Sequence, residues 1–314
     1  MTHDEDDTSE SSDLRENTSV KIKSPAPITI KRVAATCGRK TGTITSPPCQ
    51  IRGLCTSAVK SPHPDKVETG GEDACFVRKK CLGVFDGVGA WRERGIDSGL
   101  YSRRLARLTS EFAALNGPEH IVRALKWAAK RNEEIGSSTA CVAALSGTQL
   151  HGVSVGDTSL GVIRDGQFIF MTNPLQHSFN FPYQLGTNSD DRVEDGQMFQ
   201  FQISPEDVVI CASDGLWDNV YPDQILSILR VARLKYQDLN LDGCECQHCL
   251  VMKEAATQLA RTAKNNAEDE EWFSPFALQA REGEAEEFPG GKMDDVTVTV
   301  SYAMEETDLR SWRR

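Results

Sequence analysis

Two stretches hold residues that could do chemistry. In CLGVFDGVGAW (81–91) an apolar run ends in Asp86-Gly87, and in VVICASDGLWDN (208–219) a second run ends in Asp214-Gly215. Asp157 follows GVSVG, and Asp294-Asp295 stands just before VTVTV. Each of these carboxylates sits at the edge of an expected strand. A strand fixed in a sheet holds its terminal side chain better than a loop does, and a metal site needs that rigidity. Glycine beside the Asp allows tight turns and close backbone approach. Carboxylates brought together repel one another, and some take up protons at raised pKa. A hard divalent cation removes the conflict, and Mg2+ or Mn2+ prefers such oxygen ligands. Any single Asp-Gly pair is more simply an ordinary turn. Four acidic strand edges shift the balance, although spacing alone does not show that they converge.

The elements that must position these residues are legible from periodicity. SGLYSRRLARLTSEFAAL (98–115) places Leu105, Leu108, Phe112 and Leu115 on one helical face. PEHIVRALKWAAKRNEEI (118–135) follows a Gly-Pro break, with Pro118 suited to a first turn. YPDQILSILRVARLK (221–235) and CLVMKEAATQLARTAKNN (249–266) read as two further helices. STACVAAL, LHGVSV and LGVIRDGQFIF are expected to form a meander, with Asp165-Gly166 as a hairpin turn. GSSTA (136–140) is read as a turn that ends a helix at Gly136 and starts a strand. VVICAS is a fully apolar strand, and VTVTVSY puts Val296, Val298 and Val300 on one face. Runs of strands broken by helix pairs indicate an α+β fold, antiparallel sheets with helices outside, rather than a βαβ wheel.

The chain of 314 residues is long enough for a well-buried core. Its net charge of −11 argues against a general nucleic-acid binder, which needs Lys and Arg for phosphates. No apolar run reaches the roughly 18 residues of a membrane span. The start MTHDEDDTSE has no apolar signal region, so the ten cysteines are expected to be reduced thiols inside a cell. Residues 1–19 are acidic, and 20–60 are basic with scattered Ser, Thr and Pro. The basic block matches an organelle transit peptide in composition, but the acidic start does not. The plain reading of 1–60 is a disordered, solvated tail, with a globular domain over 61–304 and a short tail at 305–314. CECQHC (244–249) offers Cys244, Cys246, His248 and Cys249, yet its spacing is crowded for one Zn2+ and no second half-site follows, which favours a reduced solvent-facing loop. Trp91, Trp127 and Trp217 are read as packing residues.

Six blocks occur in a shared order with a known family: TGGEDACFV (69–77), LGVFDGVGAW (82–91), GSSTACVAAL (136–145), SVGDTSLGVIRDG (154–166), CASDGLWDN (211–219) and GGKMDDVTVTVS (290–301). The chain resembles the metal-dependent (PPM, type 2C) serine/threonine protein phosphatases over about 63–303. QHSFNFPYQLG (176–186) and SPFALQA (274–280) resemble the branch of the T-cell activation protein phosphatase homologue and its plant and fungal relatives. The resemblance implies an αββα sandwich with two metal ions between the ends of two antiparallel sheets. It makes Asp86 the bridging ligand, Gly87 a carbonyl ligand, and Asp214 and Asp294 further ligands. Glu72 and Asp73 match the acidic pair holding the cluster, and Asp157 matches a residue linked to a third, weaker ion. Asp295 stands where many members have Asn, just outside the ligands. Asp86 and Asp214 would act in catalysis through metal-bound water. Mg2+ or Mn2+ roughly 3.5–4 Å apart would lower the pKa of that water for in-line attack on a phosphoserine or phosphothreonine ester.

Departures from the family pattern are specific. Val88 stands where most members have a His proposed to protonate the leaving oxygen, so the task falls to another group, with His63 and His177 as candidates, or to a metal-bound water. Glu68 stands where many have a phosphate-binding Arg, and Lys66 or His63 could take its place. Ala90 replaces a second Gly. Three functions follow from this: an active phosphatase on phosphoprotein substrates, expected to be monomeric and intracellular; a pseudophosphatase serving as a binding module; or a metal hydrolase of small phosphoesters. The compartment, whether cytoplasmic, nuclear or organellar, is left open by the sequence.

Overall fold

The computed structural model describes residues 51–237, 247–283 and 288–305. In chain order its strands and helices begin with β1 (Ile51–Ser61), β2 (Ala74–Arg78), β3 (Cys81–Phe85), α1 (Ser98–Asn116) and α2 (Ile121–Arg131). Then come β4 (Ser137–Ser138), β5 (Ala140–Ser146), β6 (Gln149–Val155), β7 (Ser159–Arg164), β8 (Gln167–Met171), β9 (Gln176–Ser178), β10 (Phe181–Pro182), β11 (Leu185–Gly186), β12 (Gln197–Gln202) and β13 (Val208–Ala212). The last group is α3 (Asp214–Trp217), α4 (Pro222–Tyr236), α5 (Gln247–Glu268), α6 (Pro275–Glu282) and β14 (Val296–Glu305).

Two five-stranded sheets form, in the orders β1-β14-β13-β7-β8 and β12-β6-β5-β3-β2, with every pairing antiparallel. Alternation along the strands sorts side chains into separate layers. On β3 Leu82 and Val84 face the other sheet, where they meet Leu160, Val162, Val209 and Cys211. Phe85, on the opposite face, packs with Leu105, Ile121 and Leu125 of α1 and α2. On β13 and β14 Ile210, Ala212, Val296, Val298 and Val300 pack against Leu229, Met252, Ala255 and Leu259 of α4 and α5. The result is the expected αββα sandwich.

Four sequence expectations change. Residues 51–60 belong to the domain rather than to a tail, because β1 pairs with β14 down to Ser61↔Val296. Its run IRGLCTSAVKS is mostly small and polar, so its strand character comes from its neighbour. The expected meander is split: β5 and β6 lie in one sheet, β7 and β8 in the other, and the chain crosses between them at Gly156-Asp157-Thr158. Helix α2 ends at Arg131, so GSSTA opens a strand without closing a helix. Leu115, in the last turn of α1, is 86% exposed and does not join Leu105 and Leu108 in the core. The Asp165-Gly166 hairpin forms as expected, with φ of 50° and 72°. Of CECQHC, Cys244 and Cys246 lie outside the described residues. Cys249 is half-buried, its Sγ 2.8 Å from that of Cys55, and the His248 ring stacks on Tyr302, so this end of the run packs on the domain.

Candidate metal centre

The cluster forms where strands of both sheets end side by side. Asp86 follows β3 directly, Asp214 opens α3 one residue after β13, Asp157 lies at the crossing between the sheets, and Asp294-Asp295 precede β14. Carboxylate oxygens of Asp86, Asp157 and Asp214 all lie within 4.8 Å of one another. Glycine is required beside two of them. A Cβ on Gly87 would stand 2.6 Å from the Glu72 carbonyl, and one on Gly215 would stand 2.1 Å from the Asp295 carbonyl. This answers why each apolar strand runs into Asp-Gly: the turn must press its backbone against a neighbouring segment to deliver the carboxylate inward. The Thr139 N–H donates to the Asp86 carbonyl (2.8 Å), so the GSSTA segment supports that turn.

The surrounding shell is well tied. Asp295 Oδ1 accepts the His63 N–H and Oδ2 the Glu72 N–H, both at 2.7 Å, and Lys66 Nζ lies 3.6 Å from Oδ2. Lys66 also donates to Glu72 Oε2. The Glu72 carbonyl in turn accepts the Gly87 N–H (3.2 Å) and the Ser102 hydroxyl. Ser213 Oγ donates to Asp73 Oδ2 (2.8 Å), and Gln176 Nε2 to Asp157 Oδ2 (3.1 Å). Lys292 donates to Asp214 Oδ2 and to Asp218 Oδ2 (2.8 Å), and lies 3.5 Å from Asp294.

Burial, and then neighbouring negative charge, raise the acids. Asp86 is pushed well above the carboxylate range, Asp73 to about 7, Asp157 to about 8, Asp218 to about 7 and Asp294 to about 6. Burial would raise Asp214 too, but the Lys292 charge and its hydrogen bonds outweigh that and hold it low. Burial likewise works against the Lys292 ammonium, yet the carboxylates around it raise its pKa well above the usual value.

The donor set fits a divalent metal. Asp73 Oδ1, Asp157 Oδ1 and Asp214 Oδ1 are buried without a hydrogen-bond partner, an arrangement that costs stability unless a cation meets them. All of them are hard oxygen donors of the kind Mg2+ and Mn2+ take.

The cluster opens on a groove of about 1050 Å³ whose walls include His63, Lys66, Trp91, Arg92, Arg94 and His177. His63 Nδ1 accepts the Asp65 N–H (3.1 Å), and His177 Nε2 pairs with Asp191 (3.0 Å). Trp91 is therefore a groove residue as well as a packing one, its Nε1 donating to Ser137 Oγ (2.6 Å). Of the other residues singled out in the sequence, Asp73 and Asp294 lie near enough to act on Asp86 by charge, Gly87 meets Glu72 through its backbone, and the Glu72 and Asp295 carboxylates are taken by Lys66 and by backbone N–H groups. Asp218, Lys292 and Asn219 were not foreseen. Asp218 lies four residues after Asp214, one helical turn on, and that spacing was a usable signal.

Two antiparallel sheets holding a buried carboxylate cluster at one end define a metal-centre sandwich. No family model matches the chain. It is 38% identical over 262 residues to probable protein phosphatase 2C 55 of Arabidopsis thaliana, across 79% of this chain and 53% of that protein. It is 35% identical to probable protein phosphatase 2C 80 of the same plant, across 83% of this chain and 62% of that protein. Against Arabidopsis probable protein phosphatase 2C 26 the identity is 34%, across 76% of this chain and 80% of that protein. The chain thus spans about half to three-fifths of the first two relatives' length. Among solved structures it is similar to the photosystem II phosphatase PBCP, with TM-score 0.70 and 32% identity over 80% of this chain and 99% of that one. The catalytic domain of the serine/threonine phosphatase PstP, solved with two manganese ions, shares the fold at TM-score 0.52 and 18% identity over 80% of this chain and 98% of that one. The chain belongs to the protein phosphatase 2C family.

Proposed function

We propose that this chain is a metal-dependent protein serine/threonine phosphatase that uses Mg2+ or Mn2+ to hydrolyse phosphoserine and phosphothreonine esters in protein substrates. The observation that carries this reading is the convergence of Asp86, Asp157 and Asp214 within 4.8 Å at the floor of an open groove. Two divalent ions held by Asp86, Asp214, Asp294 and the Gly87 carbonyl would supply an acidified water and charge stabilisation for in-line displacement at phosphorus. Glu72 and Asp73 hold the cluster from the side, and Asp157 lends an open oxygen.

The chain's own residues do the remaining work. Arg92 and Arg94 bring positive charge to the groove wall to meet a phosphate dianion, beside the Lys66 ammonium that Glu72 and Asp295 already hold. Because His63 Nδ1 accepts the Asp65 N–H, the neutral ring carries its proton on Nε2. Its Nε2–H can hydrogen-bond a leaving oxygen, and with its place in the groove wall this makes His63 our candidate to assist the departure that Val88 cannot. Hydrolysis of p-nitrophenyl phosphate and of a phosphothreonine peptide by the full chain, with Mn2+, with Mg2+ and with chelator, tests the reading. Metal-dependent turnover of the peptide is expected. A folded protein that binds Mn2+ but turns over neither substrate would leave the fold as a binding module, and turnover confined to small esters would make it a metabolite hydrolase.

A further inference from the structure

Lys292 is held more firmly than a surface lysine. Asn219, fully buried, accepts the Lys292 N–H on Oδ1 (2.9 Å) and donates from Nδ2 to the Lys292 carbonyl (2.8 Å). The same Nδ2 donates to the Gly215 carbonyl (3.0 Å), so the backbone of Lys292 is clamped to the turn that presents Asp214. Outward along the side chain, Nζ lies 5.0 Å from the Phe276 ring centroid. Its three hydrogens face three carboxylates, Asp214, Asp218 and Asp294, and the side chain is 12% exposed. Root and head are thus fixed by different parts of the fold.

We propose that Lys292 is a resident cation of the centre: its ammonium fills the locus among Asp214, Asp218 and Asp294 and limits the chain to two divalent ions. This rests on the metal-centre reading given above. The family resemblance leaves room for a third ion linked to Asp157, and the residues at the Asp218 side of the cluster do not fit one. The oxygens an ion would take there, Asp214 Oδ2 and Asp218 Oδ2, are the two that Lys292 already holds. The oxygens left without a partner, Oδ1 of Asp73, Asp157 and Asp214, are different atoms. Asp214 therefore divides its carboxylate, one oxygen to the lysine and one left for a metal. An ammonium is a compact point charge with three rotatable donors, so it can replace a hard cation among carboxylates. A divalent ion and the ammonium would compete for the same lone pairs.

Counting bound Mn2+ on the full chain by equilibrium dialysis and metal analysis tests this. Wild type is expected to saturate at two ions per chain. Lys292→Met, which keeps the stem and removes the charge, is expected to take up a third, and Lys292→Arg to stay at two. Three ions on wild type would overturn the inference alone, as would a folded Lys292→Met that stays at two. No bound Mn2+ on wild type would overturn the metal-centre reading together with it. Should Lys292→Met fail to fold, anomalous diffraction from Mn2+-loaded wild-type crystals decides: two peaks with Nζ still at Asp218 support the inference, and a peak between Asp214 and Asp218 sinks it.

Discussion

Two half-buried lysines flank the carboxylate cluster, and they are used differently. Lys66 joins Glu72 to Asp295, and both Asp295 oxygens are already engaged by backbone N–H groups of His63 and Glu72. That flank is saturated: it fastens the loop before β2 to the start of β14. Lys292 joins Asp214, Asp218 and Asp294, yet Asp214 keeps an oxygen with no partner. That flank is left unsaturated on its inner side. The same pairing of ammonium and carboxylate thus serves as a fastener in one place and as the wall of a cation site in the other. The separating feature is whether both carboxylate oxygens already accept a hydrogen bond.

The largest effect should come from the open set between the flanks. Asp86→Ala is expected to lower turnover by more than about 100-fold, since even outer partners of metal ligands carry effects of 10–100-fold. Steady-state kinetics at saturating Mn2+ measures it, and a loss below tenfold would mean the cluster is not the reaction centre. Next comes the saturated flank. Asp295→Asn keeps one acceptor but loses the charge facing Lys66, and Mn2+ affinity by calorimetry should fall by about 10–100-fold. Unchanged affinity would show that Asp295 only shapes the loop.

Lys66→Met should act mainly on stability, by about 2 kcal/mol, less than the 3–5 of a fully buried broken pair because solvent reaches this one. Urea denaturation reads that loss, and the Mn2+ count should stay at two. A changed count would erase the difference between the flanks.

The smallest effect is one of pH. Asp294, Asp73, Asp218 and Asp157 are raised from 3.8 to about 6, 7, 7 and 8, chiefly by burial. A carboxylate with a raised folded pKa stabilises the fold fully below its unfolded pKa, and that contribution is lost as pH rises through the folded value. The chelated protein should therefore melt lower at pH 8.5 than at pH 6. Added Mn2+, which needs the ionised acids, should raise the melting temperature more at the higher pH. A chelated protein that grows more stable over this range would contradict the burial of these acids. Asp214 is lowered, so its window lies below this range.

Much of the centre was legible in the sequence because an Asp at the end of an apolar run is a local signal. Asp86 and Asp214 announce themselves in that way, Asp294 by standing just before such a run, and six ordered blocks carry the family resemblance. The rest depends on tertiary facts. Lys292 reads as one more surface cation until Asn219 is seen to clamp it. Strand β1 has few large apolar residues and is a strand because β14 offers it partners. The expected meander divides between the sheets because alternation with period two says that a segment is a strand but not which sheet it joins. The crossing at Asp157, which decides that, also carries one of the three clustered carboxylates.

Strand β14 lies between β1 and β13, yet it comes after every other strand in the chain. On the ribosome, the segments up to residue 290 would emerge while β1 and β13 still lacked their common neighbour, leaving two rows of unpaired backbone groups. The same late segment brings Asp294, Asp295 and Lys292. Closure of the sheet and completion of the centre are therefore one event in the life of a nascent chain. A product cut short before residue 290 would lack both together, so an interrupted synthesis delivers neither the closed sheet nor the complete carboxylate cluster.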